Sequence, residues 1–128
     1  MQTGISSNMK EKTYEFINLE YLELMADGDP EMKTVMLDML LTELPEELNK
    51  MRTEFNIQEW STLGSTSHKM KSTLSFVGNP DMTAANKEIE GICKSEENTE
   101  QIASMLQTLE EVAPKVLEEI KIEITKLG

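Results

Sequence analysis

Several residue types are scarce in this sequence, and each scarcity excludes a class of structure. A single cysteine, Cys93, excludes an internal disulfide framework and is compatible with a reducing compartment. Aromatic residues make up only 5 % of the chain, and no Asn-Gly or Asp-Gly turn joins two β-branched runs, so strands are not expected. The N-terminus has no apolar targeting segment, and nowhere do 18 apolar residues run together. We therefore expect a cytoplasmic protein without a membrane segment.

Basic residues are also in the minority. Twelve Lys and Arg stand against 24 Asp and Glu, which gives a formal net charge of −12. Such a chain repels a phosphate backbone, so nucleic acid is not an expected partner. The length of 128 residues fits one domain, and we predict a polar tail over residues 1–15 and a folded domain over residues 16–128.

Apolar residues recur at helical spacing through most of the chain, which predicts an all-α fold. The predicted helices cover about residues 18–26, 30–55, 57–77, 81–94 and 99–127. Short links between long helices favour antiparallel neighbours. The expected architecture is an antiparallel up-and-down four-helix bundle with a short extra N-terminal helix.

Capping residues and prolines indicate where these helices begin and where they bend. Asn18 and Asp81 are the predicted N-caps of the first and fourth helices, and Asp29 is that of the second. Pro45 and Pro114 are expected to kink their helices rather than end them, because the apolar stripe continues beyond each.

The second helix is expected to bury one apolar stripe, and Cys93 is expected to pack as a small core residue. The members of the stripe are Met32, Val35, Met36, Met39, Leu40, Leu44, Leu48, Met51 and Phe55.

The chain contains one histidine, His68, on the third predicted helix. At about 100° per residue, the apolar residues Leu63, Met70 and Leu74 fall on the opposite side of that helix. His68 is therefore predicted to face solvent.

The neighbours of His68 on the solvent side are nearly all small. They are Ser61, Gly64, Ser65, Lys71, Ser72 and Ser75. No Asp or Glu occurs between Trp60 and Pro80. Serine and glycine are poor helix formers, glycine by about 1 kcal/mol relative to alanine, so this face suggests close approach by another macromolecule.

Most site chemistries do not fit a lone histidine. One imidazole without further ligands does not make a metal site, and no acid within reach along its own helix orients it for a serine triad. An exposed imidazole can still accept a phosphoryl group, and a lysine three residues later, Lys71, can offset the charge.

The segment around His68 resembles the histidine-containing phosphotransfer (HPt) domains of multistep phosphorelays. Their signature is Ala-His-x-Leu-Lys-Gly, a glycine ten residues after the histidine, and then a Leu-Glu pair. This sequence has Ser67-His68-Lys69-Met70-Lys71-Ser72, then Gly78, then Ile89-Glu90. Serine replaces alanine at position 67, methionine replaces leucine at position 70, and serine replaces glycine at position 72.

The resemblance implies a phosphocarrier rather than an independent kinase. It assigns His68 as the phosphorylated residue, Lys71 as its electrostatic partner, and Ser72 as clearance for an incoming domain. The implied partners are receiver domains and a hybrid sensor histidine kinase, with Mg²⁺ on the receiver and no cofactor on this chain. A monomer is expected.

Three further residues complete the predicted site. Lys69 and Phe76 are predicted to contact the partner together with the small residues, although packing at the edge of the core is an equal alternative for Phe76. Gly78 is predicted to end the helix.

Two other interpretations remain open. One is the phosphoacceptor helix of a histidine kinase dimerisation domain, whose motif has an acidic residue directly after the histidine and proline five residues on. Here those positions hold Lys69 and Thr73. The other is a helical adaptor in which His68 is incidental.

Overall fold

The computed structural model describes residues 14–127, so most of the predicted polar tail lies outside the described residues. Within that range the chain forms five α-helices and no strand, which confirms the all-α prediction. None of these helices has the length and apolar character needed to span a membrane. The helices are α1 (Glu20–Ala26), α2 (Pro30–Asn56), α3 (Trp60–Val77), α4 (Pro80–Ser95) and α5 (Ile102–Leu127), with a 3₁₀ turn at Thr99–Gln101.

Two ion pairs show that α2 and α5 are antiparallel. Lys33, near the start of α2, lies 2.8 Å from Glu123, near the end of α5. Arg52, near the end of α2, lies 2.6 Å from Glu110, near the start of α5. Contacts continue around the bundle from α2 to α3, α4 and α5, and α1 packs on α2 and α3. The predicted four-helix bundle with an extra N-terminal helix is confirmed.

Helix boundaries differ from the prediction at two starts. Gln58 has a positive φ of 60°, which interrupts the helical backbone, so α3 begins at Trp60 rather than near Ile57. Residues Thr99–Gln101 form a 3₁₀ turn, and α5 begins after it. Both α2 and α5 continue through their internal prolines.

The N-cap of α4 is Asn79 rather than the predicted Asp81. The Asn79 side-chain oxygen accepts a hydrogen bond from the backbone N–H of Met82 at 3.0 Å. Pro80 occupies the first helical position, where its missing N–H costs nothing, and this places the cap directly before it. Asp29 caps α2 as predicted.

The N-terminal part of α2 corrects the predicted stripe. Met32, Val35 and Met39 are 46 %, 52 % and 49 % exposed, whereas Leu37, which was not in the stripe, is fully buried. At 100° per residue, Met32, Val35 and Met39 lie about 140–160° around the helix from Leu37, so they face away from the core. The remainder of the stripe meets the core, where Leu40, Leu44, Leu48 and Met51 are buried.

The chain before α1 is held against the end of α5. The carboxylate of Glu119 accepts hydrogen bonds from the backbone N–H groups of Glu15, Phe16 and Ile17 at 3.0, 2.8 and 3.1 Å. The Tyr14 hydroxyl donates to Glu123 at 2.6 Å, and burial together with this bond raises the pKa of Tyr14. These contacts fix the segment that leads into α1.

The same segment is tied to the end of α3 at Gly78. The Asn18 N–H donates to the Val77 carbonyl at 2.9 Å. The Asn18 side chain accepts a hydrogen bond from the Glu20 N–H, but the N-cap residue of α1 is Leu19 instead of the predicted Asn18. Gly78 has a φ of +75°, and a Cβ there would lie 2.1 Å from the Asn18 carbonyl oxygen. Only glycine fits this junction, and Gly78 ends α3 as predicted.

We predict that Gly78→Ala destabilises the protein more than Gly28→Ala. Both glycines have a left-handed backbone, with φ of +75° and +77°, which costs a residue with a Cβ about 1–2 kcal/mol. At Gly28 a Cβ would meet nothing within 4 Å, whereas at Gly78 it would overlap the Asn18 carbonyl. Urea denaturation of the two variants compares their free energies of unfolding. Equal losses would show that the contact with Asn18 is unimportant.

Candidate functional site

The His68 side chain is exposed on α3. It retains 66 % of its accessible surface, whereas Leu63 and Met70 on the opposite side of the helix are fully buried. The imidazole therefore faces away from the core, as the 3.6-residue period predicts. A second macromolecule can reach it without any rearrangement of the bundle.

Helix α4 supplies a carboxylate to this imidazole. Glu90 Oε2 lies 2.8 Å from His68 Nδ1, and the Glu90 side chain is only 13 % exposed. An ionised carboxylate only accepts hydrogen bonds, so Nδ1 carries the proton and donates it to Glu90. In the neutral ring, Nε2 then holds a free lone pair and is the nucleophilic atom.

The acid that engages the imidazole lies outside the His68 helix, to which the sequence analysis was limited. No acid on α3 does so, but Glu90 comes from the antiparallel neighbour, 22 residues along the chain. The sequence singled out Glu90 only as the second residue of the Ile89-Glu90 pair. Helical spacing within one helix does not show which residue of the next helix lies opposite.

The charge state of Glu90 is coupled to the site. The hydrogen bond from His68 is the main cause that holds the pKa of Glu90 below its usual range, and the charges of Lys71 and Lys94 act in the same direction against the opposing effect of burial. Glu90 is therefore ionised at neutral pH. Lys94, one turn beyond Glu90 on α4, is a cation near the site that the sequence did not indicate.

Lys71 is exposed, one turn after His68 on α3. Its effect on the pKa of Glu90 puts its charge near the His68–Glu90 pair. The Lys71 ammonium makes no ion pair with any residue of the 14–127 range, so it can turn towards an anion bound at His68.

The predicted small and flanking residues lie around His68 on the outer side of α3. Five of them are exposed: Ser61, Ser65, Lys69, Ser72 and Ser75. The Ser75 hydroxyl donates to the Ser72 carbonyl at 2.6 Å, so it is satisfied by its own helix. Except for the Lys69 and Lys71 side chains, the predicted residues of this surface offer no long group that would obstruct a docking domain.

Gly64 differs from these serines. It is half-buried, and a Cβ on it would lie 3.1 Å from the Cβ of Cys93 on α4. The small size of Gly64 is therefore required by the close approach of α3 and α4, a reason that the solvent-face interpretation missed. Cys93 itself is buried, as predicted, and burial is the main cause that raises the pKa of its thiol to about 11.

Phe76 is half-buried rather than a free anchor. Its ring stacks on Tyr21 of α1 with a centroid separation of 5.3 Å. Tyr21, Leu24 and Met25 are exposed on the short helix α1, so an apolar surface begins two turns along α3 from His68. Phe76 thus packs at the edge of the core and also borders the exposed face.

Nothing at this site is arranged to hold a metal. Among residues 14–127 no group of three or more His, Cys, Asp or Glu side chains is placed to bind an ion. An open groove of about 680 Å³ lies between the segment before α1 and the end of α5, and neither His68 nor Glu90 lines it. The chemistry of the site rests on the imidazole, the carboxylate and the nearby lysines.

Comparison with known families agrees with this geometry. The family model of the Hpt domain matches residues 35–127, well over half of the chain. The chain belongs to the Hpt domain family. Searches of curated proteins and of solved structures gave no significant match.

Family membership supports a histidine phosphotransfer role in two-component phosphorelay signalling. Hpt domains interact with receiver domains and histidine kinases in such relays. The resemblance found in the sequence is confirmed at the level of the family.

We predict that His68→Gln raises the pKa of Glu90. The substitution removes the imidazole, whose hydrogen bond is the main cause that lowers the pKa of this carboxyl. Carboxyl ¹³C NMR titration follows Glu90, and Glu110 is an internal control because its pKa is lowered by Arg52 on the far side of the bundle. If the Glu90 pKa does not change in His68→Gln, the bond between the two side chains does not form in solution.

Proposed function

We propose that His68 accepts a phosphoryl group from an aspartyl phosphate on a receiver domain and relays it to a second receiver. The observation that carries this proposal is the exposed imidazole whose Nδ1 is engaged by Glu90. That arrangement presents Nε2 to solvent in one orientation. A positioned nucleophile is what a transfer between two separate proteins requires.

The transfer can be written at the level of atoms. The Nε2 lone pair attacks the phosphorus in line with the bond to the receiver aspartate. The N–P bond forms, the P–O bond breaks, and the electron pair leaves with the aspartate carboxylate. The proton on Nδ1 stays in place, and the Glu90 carboxylate offsets the positive charge that develops on the ring.

Charge on the phosphoryl group is offset from both sides. Lys71 reaches the phosphoryl oxygens from this chain, and the receiver supplies Mg²⁺ from its own acidic pocket. The carrier needs no cofactor of its own in this scheme. The residues around His68 are free of acids from Trp60 to Pro80, so the anionic group meets no repulsion from α3.

The outer face of α3 is the proposed docking surface. For transfer, the imidazole nitrogen and the phosphorus must approach to roughly 3 Å. Serines at positions 61, 65, 72 and 75 allow this approach, and Gly64 leaves room beside them. Lys69 and the Phe76–Tyr21 pair lie at the borders, where they contact the receiver.

The partners that this surface fits are receiver domains of response regulators and of a hybrid sensor histidine kinase. The protein acts as a cytoplasmic monomer in this proposal, in agreement with its single buried cysteine.

Phosphoryl transfer from a phosphorylated receiver domain tests the proposal. We expect label on the wild-type chain and none on His68→Gln, and the labelled product should be acid-labile and base-stable, as a phosphohistidine is. Circular dichroism of His68→Gln checks that the variant is folded. Label on both proteins would reject His68 as the acceptor. No label on the wild-type chain from a panel of receivers from the same organism would reject the phosphotransfer proposal and favour a helical adaptor.

Ser72→Arg tests the docking surface. A long side chain one turn from His68 should hold the two domains apart and reduce transfer at least about tenfold, since small misplacements of reacting groups cost large factors in rate. Ser104→Arg is the matched control, because Ser104 is also an exposed helical serine but lies on α5. Undiminished transfer by Ser72→Arg, or an equal loss in Ser104→Arg, would refute the need for clearance.

A further inference from the structure

A buried polar pair joins α3 to α4 directly behind the site. Ser67 is 0 % and Asn86 is 1 % exposed. The Ser67 hydroxyl lies 2.7 Å from the Asn86 side-chain oxygen and 3.0 Å from its backbone carbonyl, and the Asn86 amide donates to the Ser67 carbonyl at 2.9 Å. The bonds run in both directions, which fixes the orientation of the Asn86 amide.

This pair is next to the catalytic groups in sequence and in space. Ser67 precedes His68 on α3, and Asn86 precedes Glu90 by one turn on α4. Within residues 14–127 the only hydrogen bonds between α3 and α4 are those of Ser67 with Asn86 and of His68 with Glu90. The polar contacts between these helices are therefore concentrated at one level of the bundle.

Stability alone does not require a polar pair here. A buried hydroxyl and amide contribute little net free energy when paired, and leaving one of them unpaired costs about 1–3 kcal/mol. Apolar side chains of similar volume would hold the helices together equally well. What the pair adds is geometry, because it is satisfied only at one axial register and one rotation of α3 against α4.

The His68–Glu90 bond depends on that same register. A slip of one residue along α3 moves His68 by about 1.5 Å and turns it by about 100° around the helix axis. Either change would break a contact of 2.8 Å. Gly64 sets how closely α3 and α4 approach near Cys93, but glycine has no side chain that could fix the rotation of the helix.

We propose that Ser67 and Asn86 are positioning residues for phosphoryl transfer, which hold His68 Nδ1 on Glu90 so that Nε2 faces the receiver. The inference rests on the proposed function and extends it to two residues that touch neither the imidazole nor the partner. Ser67→Ala removes one buried hydroxyl and leaves both Asn86 oxygens without that donor, so we expect it to disturb the register while the fold stays intact.

The test compares Ser67→Ala with Thr66→Val. Thr66 is also buried on α3, but its hydroxyl donates to Glu54 on α2 at 3.1 Å, so its loss disturbs a different helix contact. We expect Ser67→Ala to slow transfer about tenfold at saturating donor with an unchanged KM, because displaced reacting groups lose rate. Thr66→Val should transfer at the wild-type rate.

Two readouts separate positioning from a general loss of stability. In Ser67→Ala the ¹⁵N signals of the His68 ring should shift as the Nδ1–H tautomer is lost, and the pKa of Glu90 should rise, whereas Thr66→Val should change neither. In a Glu90→Gln background, Ser67→Ala should cause no further loss of rate. Unaltered ring signals in Ser67→Ala, or the same changes in Thr66→Val, would overturn the inference.

These outcomes are distinct from a failure of the proposed function. The ring signals and the Glu90 pKa are measured on the unphosphorylated protein, so they report on Ser67 even if no receiver transfers a phosphoryl group. If the ring signals respond as expected while wild-type protein takes no label, the register is confirmed and the phosphotransfer proposal fails.

Discussion

A hydrogen bond between two helices is the constraint on which the site depends. It joins His68 Nδ1 on α3 to the Glu90 carboxylate on α4 over 2.8 Å. The bond decides which ring nitrogen carries the proton, keeps Glu90 ionised, and holds the ring in one orientation on an otherwise open surface. An exposed histidine on a single helix would have none of these properties. The pairing of α3 with α4 therefore sets the protonation and orientation of His68 as well as contributing to stability.

The rest of the fold preserves the relation between α3 and α4. Gly64 permits their close approach, and the turn at Gly78 and Asn79 reverses the chain between them within two residues. Helix α2 packs on α3 and helix α5 packs on α4. Helices α2 and α5 are held antiparallel by the core and by ion pairs at each end. The segment before α1 binds the Gly78 turn and places Tyr21 beside Phe76 at the border of the proposed docking face.

Local signals in the sequence were sufficient to predict the helices and the side of α3 on which His68 lies, because both follow from a 3.6-residue period. This period does not predict which residues of two different helices are in contact. The position of Glu90 opposite His68 and the packing of Gly64 on Cys93 depend on how two helices pair. The exposure of Met32 follows from its place on the outer face of α2, opposite the buried Leu37. Proline at the first position of α4 places the N-cap at Asn79, two residues before the predicted Asp81, and this Asn-Pro signal is present in the sequence.

Because Glu90 engages Nδ1, only Nε2 of the His68 ring is available to a phosphoryl group. The ring nitrogen that carries phosphorus is therefore the most direct test of the proposed transfer. We would phosphorylate the protein with a receiver domain and determine the attached atom by ³¹P and ¹⁵N NMR of the His68 ring. We expect phosphorus on Nε2, with the proton on Nδ1 retained and bonded to Glu90. Phosphorus on Nδ1, or on any residue other than His68, would contradict this expectation.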